Sequence, residues 1–164
     1  MSKAVTIIGI DPGLNNTGWG IIKSDGSKLS GIACGVIKTD AKKPTPARLA
    51  LIADELQTLI KKYKPDEAAV EEIFTNKNPA STQKLGLARG VALAIPAQAG
   101  LQVGEYGANL IKKCVTGYGH ADKTQMTAMI KMLLPGLKLP PKADAADALA
   151  VAISHAHLRK TCGL

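Results

Sequence analysis

Cysteine is scarce and widely scattered in this 164-residue chain: Cys34, Cys114 and Cys162 are odd in number, with no C-x-x-C pair among them. That spacing excludes the usual zinc and dithiol redox motifs and reads as reduced thiols in a cytosolic protein. Long apolar runs are missing too. The stretch from Val5 to Ile10 is far too short to span a bilayer, and no small-residue cleavage site follows it, so nothing directs export. Internal repeats and low-complexity segments are absent. Acids are in the minority, 13 against 21 lysines and arginines, for a formal charge of +8. Such an excess suits a polyanion, most simply nucleic acid, although a membrane surface or plain solubility would also account for it.

What is present is the composition of a folded soluble protein, 46% hydrophobic and 21% charged. The length suits one domain over residues 1–164, since two cores would each be marginal. Ala4 to Ile10 is a β-branched apolar run ending at Asp11-Pro12-Gly13, and Thr17 to Ile22 resumes after a Gly/Asn-rich turn. A third strand over Lys28 to Lys38 follows the Asp25-Gly26 turn, completing an antiparallel meander. From Thr45 to Tyr63, Leu49, Ile52, Ala53, Leu56, Leu59 and Ile60 recur at helical spacing, with Pro65 beyond the end. Glu67 to Ile73 reads as a short buried strand. Asn78-Pro79 then opens a helix to about Ala94. Leu101 to Tyr106 is a fifth strand, Asn109 to Val115 a short helix or strand extension, and Lys123 to Leu133 and Ala143 to about Leu158 are helices. A right-handed crossover sets the fourth strand parallel to a meander strand, giving an α/β fold with a five-stranded mixed sheet and helices on both faces.

Four carboxylates stand where carboxylates are costly. Asp11 ends a buried strand, Glu71 ends the apolar fourth strand, and Asp144 and Asp147 lie three apart on an Ala-rich helix, on one face. Each has an ordinary explanation: a turn residue for Asp11, a strand-end charge for Glu71 with Glu72 as an equal rival, and helix-dipole complementation for the pair. Together they can converge if the first and fourth strands are neighbours and the last helix packs across them. Clustered carboxylates repel and shift upward in pKa unless a divalent cation neutralises them, and hard oxygen donors suit Mg²⁺ or Mn²⁺ rather than zinc. Two such ions about 3.5 to 4 Å apart can activate water and stabilise a leaving oxygen in phosphodiester hydrolysis. Taking these four from the 13 acids leaves nine against 21 bases, so a site built from them would sit in a basic field.

The strings Gly9-Ile10-Asp11-Pro12-Gly13, Thr17-Gly18, Val70-Glu71-Glu72-Ile73-Phe74 and Ala143-Asp144-Ala145-Ala146-Asp147-Ala148-Leu149-Ala150, in that order and spacing, resemble the RuvC family of Holliday junction resolvases. Lys84-Leu85-Gly86-Leu87-Ala88-Arg89-Gly90-Val91 is similar to that family's central helix, so the likeness runs over nearly the whole chain. It implies a ribonuclease H-like fold with strand order 3-2-1-4-5 and a homodimer making paired symmetric nicks in strands of like polarity. It also implies one or two Mg²⁺ per subunit, with Mn²⁺ as substitute, and a branch-migration partner of the RuvA and RuvB type. The metal-binding and catalytic acids it implies are Asp11, Glu71, Asp144 and Asp147, which selects Glu71 over Glu72. Phe74, the chain's one phenylalanine, would stack on an unpaired base beside Lys77. Lys112 and Lys123 would lie near the scissile phosphate, and Gly86 and Gly90 in the dimer contact.

Some residues stay outside the resemblance. Tyr118 and His120 fall in the segment Thr116-Gly117-Tyr118-Gly119-His120, which looks like a flexible phosphate-contacting loop, without a family counterpart to carry over. His155 and His157, two apart on a helix, point to different faces and make no chelating pair; they read as surface or packing residues. Gly86 and Gly90, four apart in a helix, call for a close backbone approach, either to the sheet or to a second copy. The rivals to a nuclease are a phosphotransferase of the actin-like class, which needs two lobes, a non-catalytic DNA-binding module, and a ribonuclease H-like enzyme acting on RNA.

Overall fold

The computed structural model describes residues 3–72 and 78–159. Five strands, β1 (Val5–Asp11), β2 (Asn16–Asp25), β3 (Lys28–Lys38), β4 (Glu67–Glu71) and β5 (Gln102–Tyr106), form one sheet in the order β3-β2-β1-β4-β5. β1 is central, antiparallel to β2 from Val5 opposite Ser24 to Asp11 opposite Gly18, and parallel to β4 from Ile7 opposite Glu67 to Ile10 opposite Val70. Its Ile7, Ile8 and Ile10 are fully buried, as a strand covered on both faces requires. β2 and β3 are antiparallel with a register shift at Ile21 and Ile22, and β4 and β5 are parallel.

The helices are α1 (Thr45–Tyr63), α2 (Pro79–Gln98), α3 (Ala108–Thr116), α4 (Lys123–Leu133) and α5 (Ala143–Leu158). α1 and α2 cover one face through Ile52, Leu56, Ala88 and Ala92, while α5, backed by α3 and α4, covers the other. None of the helices among the described residues is long and apolar enough to cross a membrane.

α5 packs directly against the sheet because its inner face carries alanine and the strands beneath it offer glycine. A Cβ added at Gly9 would come 2.8 Å from Ala152 Cβ and would overlap the Ala148 carbonyl oxygen; one added at Gly18 would overlap that of Asp144. These two glycines let the helix settle directly on β1 and β2.

Several expectations change or narrow. β4 ends at Glu71, short of the expected Ile73, which lies outside the described residues. α2 continues past Ala94 to Gln98 with Pro96 inside it. That proline lies in the last turn, where it removes one hydrogen bond, and it is buried with Ile95. The segment after β5 is the helix α3, whose buried Ile111 and Val115 stand four apart. A Cβ at Gly86 or Gly90 meets nothing within 4 Å, so neither glycine is there for packing on the sheet. Cys34 and Cys114 are free and half-buried, and Cys162 lies outside the described residues.

Candidate active site

The sheet brings the ends of β1 and β4 side by side, and α5 crosses above them with its first turns. Asp11 is the last residue of β1 and Glu71 the last of β4, while Asp144 and Asp147 lie in the first two turns of α5. Asp11 and Glu71 share a hydrogen bond, and Asp11 also feels the charges of Asp147 and Asp144. Its carboxyl is pushed up to about 9, first by burial, then by the Glu71 charge and that hydrogen bond. Glu71 is raised, chiefly by burial and further by Asp147, with the Asp11 hydrogen bond and Lys112 pulling the other way. Asp147 is raised by burial and by Asp144, against the pull of Lys123. Glu72, the sequence rival, is exposed, and its backbone N–H donates to the Tyr106 carbonyl at 2.8 Å.

A cavity of about 480 Å³ opens beside the acids, lined by Glu71, Asp147, Lys112, Ala121 and Lys123 among others. The two lysines that drew attention in the sequence therefore share one cleft with two of the acids. Phe74 and Lys77 lie outside the described residues.

The donor set fits a hard divalent cation in its chemistry: every candidate ligand atom is a carboxylate oxygen, and burial plus mutual repulsion is the cost a cation would offset. Among the described residues, no group of three or more His, Cys, Asp or Glu side chains has converged closely enough to chelate one ion. The acids meet as electrostatically interacting neighbours.

Two supports of the site were not visible in the sequence. Arg89 of α2 donates from Nε to the Glu71 carbonyl at 3.2 Å and pairs through its other nitrogen with Glu105 of β5. The β1 ladder ends one residue earlier, at Val70, so the Glu71 carbonyl takes its hydrogen bond from a side chain. The available signal was a charged residue between the buried Ala88 and Ala92. Arg48, buried on α1, ties the turn after Asp11 in place: Nε donates to Thr39 Oγ1 at 2.8 Å, and the guanidinium also reaches Asn15 Oδ1. Inside that turn the fully buried Thr17 hydroxyl donates to the Gly13 carbonyl at 2.7 Å.

At the far end of α5, His155 is fully buried and its ring nitrogens lie 2.7 Å from Tyr106 OH and 2.7 Å from Glu67 Oε2. A carboxylate only accepts, so Nε2–H donates to Glu67 and Nδ1 accepts from the Tyr106 hydroxyl. Arg159 completes the group, donating from Nε to Glu67 at 2.8 Å.

Comparison with known proteins points one way. The family described as crossover junction endodeoxyribonuclease RuvC matches residues 7–155. The chain is similar to the crossover junction endodeoxyribonuclease RuvC of Afipia carboxidovorans, 49% identical over 164 residues covering 100% of this chain and 95% of the relative. It is similar to that of Gluconacetobacter diazotrophicus at 54% identity over 155 residues, 94% of this chain and 92% of the relative. Among solved structures, T. thermophilus RuvC in complex with Holliday junction substrate aligns with a TM-score of 0.90 at 30% identity, covering 96% of each chain.

Proposed function

The chain belongs to the RuvC family of crossover junction endodeoxyribonucleases, and from that premise we propose that it resolves four-way DNA junctions by nicking two strands of like polarity at symmetric positions. Its strand order matches the ribonuclease H-like resolvases. We read residues 1–164 as a single nuclease domain acting in the cytoplasm, in recombination and repair.

The observation that carries the chemistry is the meeting of Asp11, Glu71, Asp144 and Asp147 in one electrostatic unit beside a lysine-flanked cleft. Asp11 and Glu71 form the rigid floor, since each ends a buried strand; Asp144 and Asp147 close it from α5. These four would hold Mg²⁺, or Mn²⁺ in its place, as one or two ions. When bound, the metal supplies an activated water and neutralises charge on the leaving oxygen. Lys112, beside Glu71, and Lys123, beside Asp147, set positive charge where a phosphate would lie and where negative charge grows during attack. Phe74 and Lys77 extend the DNA contact beyond the cleft in this reading.

The open stripe at Gly86 and Gly90 supports a homodimer built across α2, which gives two sites for two nicks. A branch-migration complex of the RuvA and RuvB type is the partner that a junction-cutting enzyme of this family implies. The test is cleavage of a synthetic four-way junction beside linear duplex, with Mg²⁺ and with chelator. Asp11→Asn and Asp144→Asn should each keep junction binding and lose Mg²⁺-dependent nicking. Unchanged cutting by both variants would remove these acids from the mechanism.

A further inference from the structure

We propose that Tyr118, braced by His120, is a second stacking site for an unpaired nucleobase at the rim of the cleft. The inference rests on the cleft being the junction-cutting site.

The loop between α3 and α4 is held at both ends. Gly117 caps α3 with φ +80°, its N–H donating to the Lys113 carbonyl at 2.8 Å. The Thr116 hydroxyl donates to the Lys112 carbonyl at 2.8 Å and accepts from the Tyr118 N–H at 3.1 Å, so one side chain joins a cleft lysine to the tyrosine. The Ala121 N–H returns to the Tyr118 carbonyl at 3.3 Å. Asp122 and Gln125 then form a reciprocal capping box that starts α4, with bonds of 2.8 and 2.9 Å. A loop ordered in this way loses little conformational freedom when a ligand arrives.

The held loop presents aromatic surface outward. The Tyr118 and His120 rings meet edge to face, 5.6 Å apart at 73°, which fixes their planes relative to each other. Tyr118 nonetheless stays 56% exposed and is the one aromatic among the exposed large apolar side chains of the described residues. Aromatic surface left exposed on an ordered loop is what stacking needs, whereas a tyrosine serving the core would turn inward.

Position and charge select the ligand. Tyr118 lines a shallow cavity that shares the buried Ala121 with the acid-bearing cleft, so the two are immediate neighbours. The loop is bracketed by Lys112 and Lys113 on one side and Lys123 on the other. A strand whose phosphate lies between Lys112 and Lys123 would carry its adjoining bases past the Tyr118 ring. Paired bases in a duplex have both faces covered by their neighbours; a four-way crossover offers unstacked bases with a free face. The site therefore discriminates branched from linear DNA rather than one sequence from another.

The test uses a four-way junction carrying 2-aminopurine at bases flanking the crossover, bound in chelator to prevent cutting. Base–aromatic stacking predicts that Tyr118→Ala weakens junction binding roughly five- to a hundredfold and abolishes the wild-type fluorescence change at one of these bases. Tyr118→Phe should retain both, Tyr118→Leu should resemble the alanine variant, and duplex binding should move little in all three. Wild-type affinity and fluorescence in Tyr118→Ala would overturn the proposal, as would equal losses on junction and duplex. A wild-type protein that binds junction no better than duplex would instead refute the junction reading itself, and this proposal with it.

Discussion

Gly18→Ala should separate DNA binding from DNA cutting through a single methyl group. Gly18 lies opposite Asp11 in the β1·β2 ladder and directly beneath the first turn of α5. An alanine Cβ would come 2.5 Å from the Asp144 carbonyl carbon and 3.2 Å from its Cα. Ordinary contact starts near 3.4 Å, and the obstacle is backbone, so no rotamer relieves it. The first turn of α5 must lift by about 1 Å, carrying Asp144 and Asp147 away from Asp11 and Glu71. Overpacking of this kind costs about 1–3 kcal/mol, and in a chain of this size each kcal/mol lowers Tm by roughly 2–4 °C. A displacement of that size at a reacting centre slows chemistry about a hundredfold. Single-turnover nicking of a synthetic junction with saturating protein and Mg²⁺ reads the rate, and binding in chelator reads affinity. Slow nicking with near-normal affinity and a modestly lowered Tm is expected. A Gly18→Ala protein that nicks at the wild-type rate would show that α5 is not held in place by this contact.

Arg89→Met removes the donor to the Glu71 carbonyl, and hydrogen bonds from charged groups are worth about 1.5–3 kcal/mol; nicking should slow about tenfold or more. Because the Glu105 side chain is 44% exposed, loss of the ion pair itself should barely move Tm, and a variant with an unchanged nicking rate would deny Arg89 its supporting part. Acid acts on two buried groups with opposite sign: the raised carboxyls of Asp11, Glu71 and Asp147 take up protons on folding and favour the fold as pH falls, whereas the His155–Glu67 group loses stability. His155 is held below its ordinary 6.5, chiefly by burial, so its contribution is full above that pH and is lost as pH falls through the depressed folded value. Glu67 is lowered, first by its bond to Arg159, so its contribution is present above 4.5 and lost at still lower pH. Tm of the wild type and of His155→Gln, compared from pH 8 to 5, should diverge in slope below about pH 6.5, the wild type losing the more toward acid; an identical slope in the variant would rule out a contribution from His155.

The sequence disclosed elements wherever one periodicity acted alone. β3, α1 and α4 have the expected bounds because their apolar spacing and flanking turn or proline signals agree. α2 outran its expected end because tertiary burial of Ile95 and Pro96 outweighs one missing hydrogen bond. The four acids stood out as carboxylates in apolar surroundings, but Glu71 and Glu72 are adjacent at a strand end, so residue patterns left them equal; the family resemblance chose Glu71, and Glu71 is the one hydrogen-bonded to Asp11 in the fold. Arg48, Arg89 and His155 went unrecognised because their partners, Asn15, Glu71, Glu105 and Glu67, lie 16 to 88 residues away. A polar residue looks superficial until its distant acceptor is known.

Burial and the Glu71 charge favour a proton on Asp11, so loading of the cleft with a cation would be an exchange. Hydrogen ions and metal ions compete for the same oxygens, so a cation entering must displace a proton, and acid conditions raise the metal concentration required. The protonated cluster also carries less than its full negative charge and therefore repels a phosphate backbone less than four ionised carboxylates would.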